Sequence, residues 1–279
     1  MDKGNIKLEP GLYIVATPIG NLDDITLRAI NVMHSADIIL CENTKNSVKL
    51  LSHYGIKTKL SCYNDHSSGR DRGKIISMIN EGKSIALISD AGTPLISDPG
   101  YKLIKELYEN GCYVTSCPGP CSAINALAMS GFPTDSFVFE GFLPLKQKDR
   151  TEKFEKIKLN QATTILFDTG NKISKTLEDI ISYFGDIEIS VLREMTKKFE
   201  ERLSGKASNI LSHHANTPMK GEIVTLIPPQ ISNDDIEEVK SDIKILKKDK
   251  SNSSKDITKI LSFKYKKISK KDIYDLASK

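Results

Sequence analysis

Short apolar runs alternate with amphipathic stretches through the first half of the chain. The apolar runs predict strands at residues 12–16, 37–41, 59–63, 85–89 and 113–116. Apolar positions at helical spacing predict helices between them, at residues 25–35, 47–54, 73–81, 100–110 and 122–131. This alternation predicts an α/β fold with parallel strand pairs.

The pattern changes near Phe137. Further strands are predicted at residues 136–142, 163–167, 187–193 and 222–227, with helices at 150–158, 173–184 and 208–215. They indicate a second α/β unit, in which strand directions can be mixed. Residues 233–254 are highly charged with weak periodicity and are interpreted as a linker, while residues 257–277 predict one or two short helices.

Four segments follow from these patterns. We predict an N-terminal α/β domain (1–118), a C-terminal α/β domain (119–229), a charged linker (230–254) and a small basic helical extension (255–279). The last 49 residues hold 13 lysines and nine acidic residues, whereas the first 230 are balanced. A basic tail attracts polyanions such as RNA, although solvated lysine-rich faces are also common.

Hydropathy predicts no membrane segment. No stretch of eighteen apolar residues occurs, and the first residues lack a signal-peptide pattern. We therefore expect a cytoplasmic protein. The five cysteines form no C-x-x-C pair and are interpreted as small buried hydrophobes rather than as a zinc site, so no metal is expected.

Three bend-rich segments follow predicted strands: TPIGN (17–21), SDAGTP (89–94) and CPGP (117–120). Ligands of open α/β sheets bind at the carboxyl ends of strands, and glycine lets the backbone approach them closely. No phosphate-binding glycine motif occurs. The segments predict a small-molecule pocket between two α/β domains, unless they only make tight connections. Asp98 is predicted as a helix N-cap, with Pro99 in the first helical position.

Three longer segments resemble the tetrapyrrole-methylase superfamily: LYIVATPIGNLDDITLRAI, ALISDAGTPLISDPGYKLI and CPGPCSAINALAMSGFPTDSFVFEGFLP. More narrowly, they resemble its branch that methylates 16S ribosomal RNA with S-adenosylmethionine (AdoMet). The resemblance covers residues 12–227, and more loosely the C-terminal tail. It implies methylation of the ribose 2′-oxygen of a cytidine (cytidine-1402) in the decoding region. It also implies a homodimer acting on 16S rRNA or the small ribosomal subunit, with the cofactor cleft between two α/β domains.

The same resemblance implies which residues line the AdoMet pocket. They come from the three bend-rich segments and the residues after them: Pro18, Ile19, Gly20, Asp90, Ala91, Gly92, Thr93, Ile96, Pro118, Gly119, Pro120, Ser122 and Ala123.

Methyl transfer from a sulfonium is an in-line displacement, so the protein mainly positions the reactants. A base near the weakly acidic 2′-hydroxyl would help. Candidate catalytic residues are Glu42, Lys45, His66 and Glu194; Asp65 is a further proton acceptor, and Lys172, Arg193 and Lys197 are further phosphate contacts. For each, a structural ion pair, a helix cap or a solvated loop position is the alternative.

The chain departs from the family pattern at two places. Glu42-Asn43-Thr44-Lys45 stands where the family has E-D-T-R, and Asp168-Thr169-Gly170-Asn171-Lys172 stands where it has E-S-T-H-R. Lysine keeps the charge of arginine but loses its bidentate fork. Two other functions stay open: a methylase of tetrapyrroles or other small substrates, disfavoured by the basic tail, and a non-catalytic RNA-binding relative, favoured only by Asn43 and Asn171.

Overall fold

In a computed structural model of the chain, residues 6–64, 66–230, 233–249, 252–265 and 268–279 are described. The chain divides into two compact units. Unit 1 comprises Met1–Ala126 with Leu192–Glu201, and unit 2 comprises Leu127–Val191 with Arg202–Lys279. The domain limits given above stay a prediction.

A five-stranded parallel sheet forms the centre of unit 1 within the described residues. Its strands are β1 (Gly11–Val15), β2 (Ile38–Cys41), β3 (Lys59–Cys62), β4 (Ser84–Ile88) and β5 (Val114–Cys117), in the order β3-β2-β4-β1-β5. Every neighbouring pair runs parallel, which confirms the α/β prediction. The carboxyl ends of all these strands consequently meet at one edge of the sheet.

Helices follow these strands, and residues of the first four pack against the sheet in its two apolar clusters. They are α1 (Leu27–Ser35), α2 (Thr44–Tyr54), α3 (Gly69–Asn80), α4 (Tyr101–Glu109) and α5 (Ser122–Ser130). The central strand β4 is buried along its whole length. Its side chains alternate between two apolar clusters, with Ile85 and Leu87 in one and Ala86 and Ile88 in the other. A parallel strand covered on both faces explains why this segment is a continuous apolar run.

Helix α4 begins later than the sequence predicted. Asp98 is not its N-cap, because the capping position belongs to Gly100, which has no side-chain cap bond. Gly100 has a φ of +137°, a conformation that L residues rarely adopt. The non-helical conformation of Gly100 separates Pro99 from the first helical residue, Tyr101. The prediction that Pro99 starts the helix is therefore wrong.

The second sheet has mixed strand directions, as its sequence allowed. Its strands are β6 (Phe137–Phe142), β7 (Thr163–Thr169), β8 (Glu188–Arg193), β9 (Glu201–Lys206) and β10 (Glu222–Ile227), in the order β6-β7-β10-β8-β9. β6 and β7 are parallel, whereas β7 and β10 are antiparallel. Helices α6 (Gln147–Leu159), α7 (Ile173–Phe184) and α8 (Ala207–Asn216) accompany it.

Strand β9 was not predicted from the sequence. Its residues, ERLSGK, alternate between half-buried and exposed positions, and Leu203 is their single large apolar side chain. Without an apolar run, the local pattern does not distinguish this edge strand from a loop.

The C-terminal tail contains three helices among the described residues: α9 (Asn233–Leu246), α10 (Ser254–Lys264) and α11 (Lys270–Ser278). The last two confirm the predicted short helices. The linker interpretation is wrong for α9, whose Val239 and Ile243 lie four residues apart and enter a core shared with α10 and α11. In the described part of the chain, no helix is both long and apolar enough to span a bilayer.

Candidate functional site

Main-chain hydrogen bonds join two of the bend-rich turns within unit 1. β4, β1 and β5 are neighbours, so the turns that follow them meet at one edge of the sheet. The Thr17 and Gly92 backbones exchange hydrogen bonds of 2.9 and 3.0 Å in a short antiparallel bridge. The Thr93 hydroxyl donates to the Pro120 carbonyl over 2.9 Å. The structure thus brings together all three segments predicted for the cofactor.

Two buried hydroxyl groups fix the turn that follows β4. The Thr17 hydroxyl, fully buried, donates to the Ser89 carbonyl over 3.3 Å. The Ser89 hydroxyl, also buried, donates to the Ala91 carbonyl over 3.2 Å. These bonds satisfy carbonyl groups that would be costly to bury without partners. The side chains of Asp90 and Ala91 remain exposed on the outside of this fixed turn.

The glycines of these turns have packing reasons of their own. Gly92 has a φ of +80°, and a Cβ there would lie 3.3 Å from Ile19 Cγ2. A Cβ on Gly119 would lie 2.9 Å from the Cβ of Ala16, which is closer than real Cβ atoms come. A Cβ on Gly20 would meet the side chain of Lys197. Backbone conformation and turn packing therefore require glycine at these positions, whether or not a ligand also approaches.

The residues predicted to line the cofactor pocket differ in exposure. Exposed members are Gly20, Asp90, Ala91, Ile96, Pro118 and Gly119, half-buried members are Thr93, Pro120 and Ser122, and buried members are Pro18, Ile19, Gly92 and Ala123. The exposed and half-buried members are accessible to a ligand, whereas the buried members pack inside the protein and support the turns.

A pocket of about 560 Å³ opens beside these turns, at the carboxyl ends of β2, β3 and β4. The described residues that line it are Glu42, Asn43, Thr44, Lys45, Cys62, Asn64, His66 and Asp90. The pocket therefore brings together three of the predicted catalytic residues with Asp90 of the cofactor set. Its size lies within the range of about 300 to 1,000 Å³ that small-molecule sites occupy. Asp65 lies outside the described residues.

The first turn of α2 forms one wall of the pocket. Asn43 is the N-cap of this helix, and its Oδ1 accepts a hydrogen bond of 3.0 Å from the Lys45 backbone N–H. Asparagine caps a helix as well as aspartate does. The departure from the family pattern at Asn43 therefore preserves this structural role. Asn46 then donates from Nδ2 to the Asp90 carboxylate over 2.7 Å, a contact that was not predicted.

Glu194 lies in the segment Leu192–Glu201, which belongs to unit 1. It is absent from the described lining of the pocket and pairs with Lys197, with 2.9 Å between Oε1 and Nζ. Glu194 and Thr196 have positive φ angles of 49° and 66°. The Thr196 hydroxyl accepts a hydrogen bond from the Asn21 backbone N–H over 3.1 Å. Thr196 thus supports the turn after β1, and no local sequence pattern singles it out.

The second departure begins in the last two residues of β7 and continues into the turn that follows it. Asp168 is buried, and its Oδ1 accepts a 2.7 Å hydrogen bond from the Thr169 N–H. Burial raises the pKa of Asp168, although the Thr176 hydroxyl partly offsets the increase. A side chain on Gly170 would collide with the Met219 carbonyl, so this position requires glycine. Asp168 is consequently an interior group, whereas the Lys172 side chain is exposed.

The cysteines match the sequence interpretation only in part. Cys41, Cys112 and Cys117 are buried, but Cys62 is exposed at the end of the edge strand β3, and Cys121 is half-buried. Burial raises the pKa of the Cys41 thiol, which keeps it protonated at neutral pH. Among the described residues, no cluster of three His, Cys, Asp or Glu side chains could hold a metal ion.

Solved structures of other proteins share this fold. Uroporphyrin-III-C-methyltransferase from Thermus thermophilus superimposes with a TM-score of 0.53 over 78% of this chain and 94% of its own, at 18% identity. A diphthine synthase superimposes with a TM-score of 0.62 over 81% of this chain and 92% of its own, at 12% identity. At such identities the likeness defines the class of fold alone.

Sequence comparison gives the family. The model of the tetrapyrrole (corrin/porphyrin) methylases matches residues 11–211, and the chain belongs to this family. A relative from Rickettsia prowazekii is 46% identical over 98% of both chains, and one from Thermotoga maritima is 41% identical over 77% of this chain and 97% of its own. Both bear the name ribosomal RNA small subunit methyltransferase I. The chain is a methyltransferase, as the resemblance implied.

Proposed function

We propose that this protein transfers the methyl group of AdoMet to the ribose 2′-oxygen of cytidine-1402 in the decoding region of 16S rRNA. The observation that carries the proposal is the 46% identity, over 98% of both chains, to a relative named ribosomal RNA small subunit methyltransferase I. The basic tail and the polar pocket beside the turns are consistent with an RNA substrate. We further propose a cytoplasmic homodimer that acts on the small ribosomal subunit.

The groups around the three turns fit AdoMet. Its ammonium and ribose hydroxyls need an acceptor, which the exposed Asp90 carboxylate supplies. Its uncharged adenine needs apolar contact, which Ile96, 42% exposed, can provide. A zwitterionic ligand without phosphates requires such anchors rather than a basic nest. We propose that the turn residues predicted above, including Pro118–Pro120, hold the cofactor.

AdoMet held by the turn residues would supply the 2′-oxygen with a methyl group activated by its sulfonium and would provide a neutral thioether as the leaving group. The hydroxyl proton has to leave, and we assign its acceptance to His66, since imidazole is the commonest general base. Lys45 carries its ammonium on a flexible stem and suits a contact to the RNA backbone. Glu194 is assigned a supporting role, because it pairs with Lys197.

The decisive experiment measures methyl transfer from labelled AdoMet to small ribosomal subunits that lack the modification, followed by nucleoside mass spectrometry. We expect 2′-O-methylcytidine as the product. Protein that binds AdoMet but labels another acceptor would contradict the proposed substrate. Protein that neither binds AdoMet nor transfers label would favour the non-catalytic alternative.

A further inference from the structure

The pocket at the ends of β2, β3 and β4 adjoins the proposed cofactor turns but is not part of them. The two share Asp90, which the Asn46 amide holds in place over 2.7 Å. A group bound in this pocket would therefore lie next to the proposed methyl donor. Nothing in the assignment of the cofactor turns accounts for the other residues that line the pocket.

The lining of the pocket mixes acceptors with donors. Glu42 and Asp90 contribute carboxylates, while Asn43, Asn64 and Lys45 contribute N–H donors. Asn43 uses Oδ1 to cap α2, so its Nδ2 hydrogens are the polar group it presents elsewhere. Among the lining residues that the structure describes, the carboxylates of Glu42 and Asp90 outnumber the ammonium of Lys45, which makes the interior of the pocket a poor place for a phosphate. This composition suits a neutral ring with polar edges.

A nucleobase that carries an exocyclic amine next to a ring acceptor complements this lining. Glutamate and aspartate accept hydrogen bonds from the N4 amine of cytosine, and amide donors such as those of Asn43 and Asn64 match the acceptors N3 and O2. Uracil presents the carbonyl oxygen O4 where cytosine has its amine, so a carboxylate would repel it. We infer that this pocket binds the base of the methylated nucleotide and that Glu42 selects an amino-bearing pyrimidine. The inference rests on the proposed function, since it requires an RNA substrate.

The test compares methyl transfer to small ribosomal subunits that carry cytidine or, by mutation, uridine at the methylated position. For the wild-type protein we expect kcat/KM to favour cytidine about 10- to 100-fold, as expected for one good base contact. Glu42→Gln replaces an acceptor with an amide that can also donate to O4. We expect this variant to lose most of the preference. Because the readout is a ratio, a general loss of rate does not affect it.

A matched control carries the same substitution at an exposed position of unit 1. Glu109 lies near the end of α4 and makes a 3.8 Å surface ion pair with Lys105. We expect Glu109→Gln to keep the wild-type ratio.

A second variant, Cys62→Trp, places a bulky ring at the exposed end of the edge strand and fills the pocket. It should abolish transfer to either subunit while AdoMet binding, measured by calorimetry, persists. Lys59→Trp, at the opposite exposed end of β3, is its control.

Each outcome has a separate meaning. An unchanged cytidine preference in Glu42→Gln would overturn the inference. So would a Glu42→Gln protein that binds AdoMet but methylates neither subunit, because a specificity residue changes selectivity rather than removing the chemistry. Wild-type rates in Cys62→Trp would show that the base binds elsewhere. Failure of the wild-type protein to methylate any cytidine would instead refute the proposed function.

Discussion

The side-chain amide of Asn46 donates a hydrogen bond to the carboxylate of Asp90, with 2.7 Å between Nδ2 and Oδ2. Asn46 lies in the first turn of α2, and Asp90 lies in the turn that follows β4. The two residues are 44 positions apart in the chain and meet because β2 and β4 are neighbours in the sheet. The bond links the pocket to the proposed cofactor turns.

We expect Asp90→Asn to lower AdoMet affinity by roughly 10- to 100-fold, because the variant loses a charged acceptor. Asn46→Leu removes only the group that orients Asp90 and should lower the affinity about fivefold. Isothermal calorimetry measures both effects. Glu81→Gln, at the exposed end of α3, should leave the affinity unchanged. Wild-type affinity in Asp90→Asn would exclude this carboxylate from the cofactor site.

Gly119 and Ala16 test whether packing requires the turn glycine. A Cβ on Gly119 would lie 2.9 Å from the Cβ of Ala16, which is almost fully buried. We expect Gly119→Ala to lower the free energy of unfolding by about 1 to 3 kcal/mol, as overpacking usually does. The double variant Ala16→Gly/Gly119→Ala relieves the contact and should recover part of this loss. The packing explanation would be contradicted if urea denaturation showed the same loss of unfolding free energy in Gly119→Ala and in the double variant.

The His66→Gln variant tests whether His66 accepts the proton of the 2′-hydroxyl. Replacing the imidazole in His66→Gln keeps a polar side chain but removes the base. We expect kcat to fall about 100- to 10,000-fold while AdoMet affinity stays unchanged. His53→Gln, on α2 and outside the described lining of the pocket, is the matched control. A small change in kcat would assign the proton to solvent or to another group.

Asp168 predicts a pH dependence of stability. Burial raises its pKa in the folded chain, so ionisation is easier in the unfolded chain. The free energy of unfolding should therefore decrease as pH rises from about 4, the ordinary value, through the raised folded pKa. Asp168→Asn keeps an acceptor for the Thr169 N–H but cannot ionise. Urea denaturation from about pH 3 to about pH 8 should show that the free energy of unfolding of the variant increases relative to that of the wild type as pH rises.

Asp186→Asn serves as the control, because the carboxylate of Asp186 makes the free energy of unfolding change with pH in the opposite direction. The Ser208 N–H and hydroxyl lower the pKa of Asp186 through hydrogen bonds of 2.9 and 2.8 Å. Its stabilisation is present above the ordinary pKa and is lost as pH falls through the lowered folded value. This variant should therefore lose stability at neutral pH and match the wild type in acid. Parallel pH profiles for the two variants would contradict both assignments.

The tail predicts a salt-dependent contribution to RNA binding. Its helices share a core of their own, formed among others by Val239, Ile257 and Ile273. Truncation after Pro229 removes that core together with a surplus of four positive charges. We expect weaker binding to small ribosomal subunits, unchanged AdoMet affinity, and a difference that shrinks at high salt because releasing counterions into concentrated salt gains less free energy. Equal salt slopes with and without the tail would refute a role in RNA binding.

Much of the fold follows from local patterns. The apolar run before Ser89 and the bends after it predicted a buried strand that ends at a ligand-facing turn, and β4 confirms the strand. Patterns failed where few apolar residues carry the burial. In α9, Val239 and Ile243 are buried only because α10 and α11 cover them. The local pattern of this charged stretch, in which five of fourteen residues are apolar, does not reveal such a partner.

The sequence by itself determined the alternation of strands and helices, the three bend-rich turns and the family, since each depends on neighbouring residues or on long motifs. The tertiary structure decided which turns meet, because strand order sets that and strand order is not local. It placed Asn46 against Asp90, which are 44 positions apart in the chain, and Thr196 against Asn21, which are 175 positions apart. It also decided why Gly119 is a glycine, since the obstructing Cβ of Ala16 comes from another strand end.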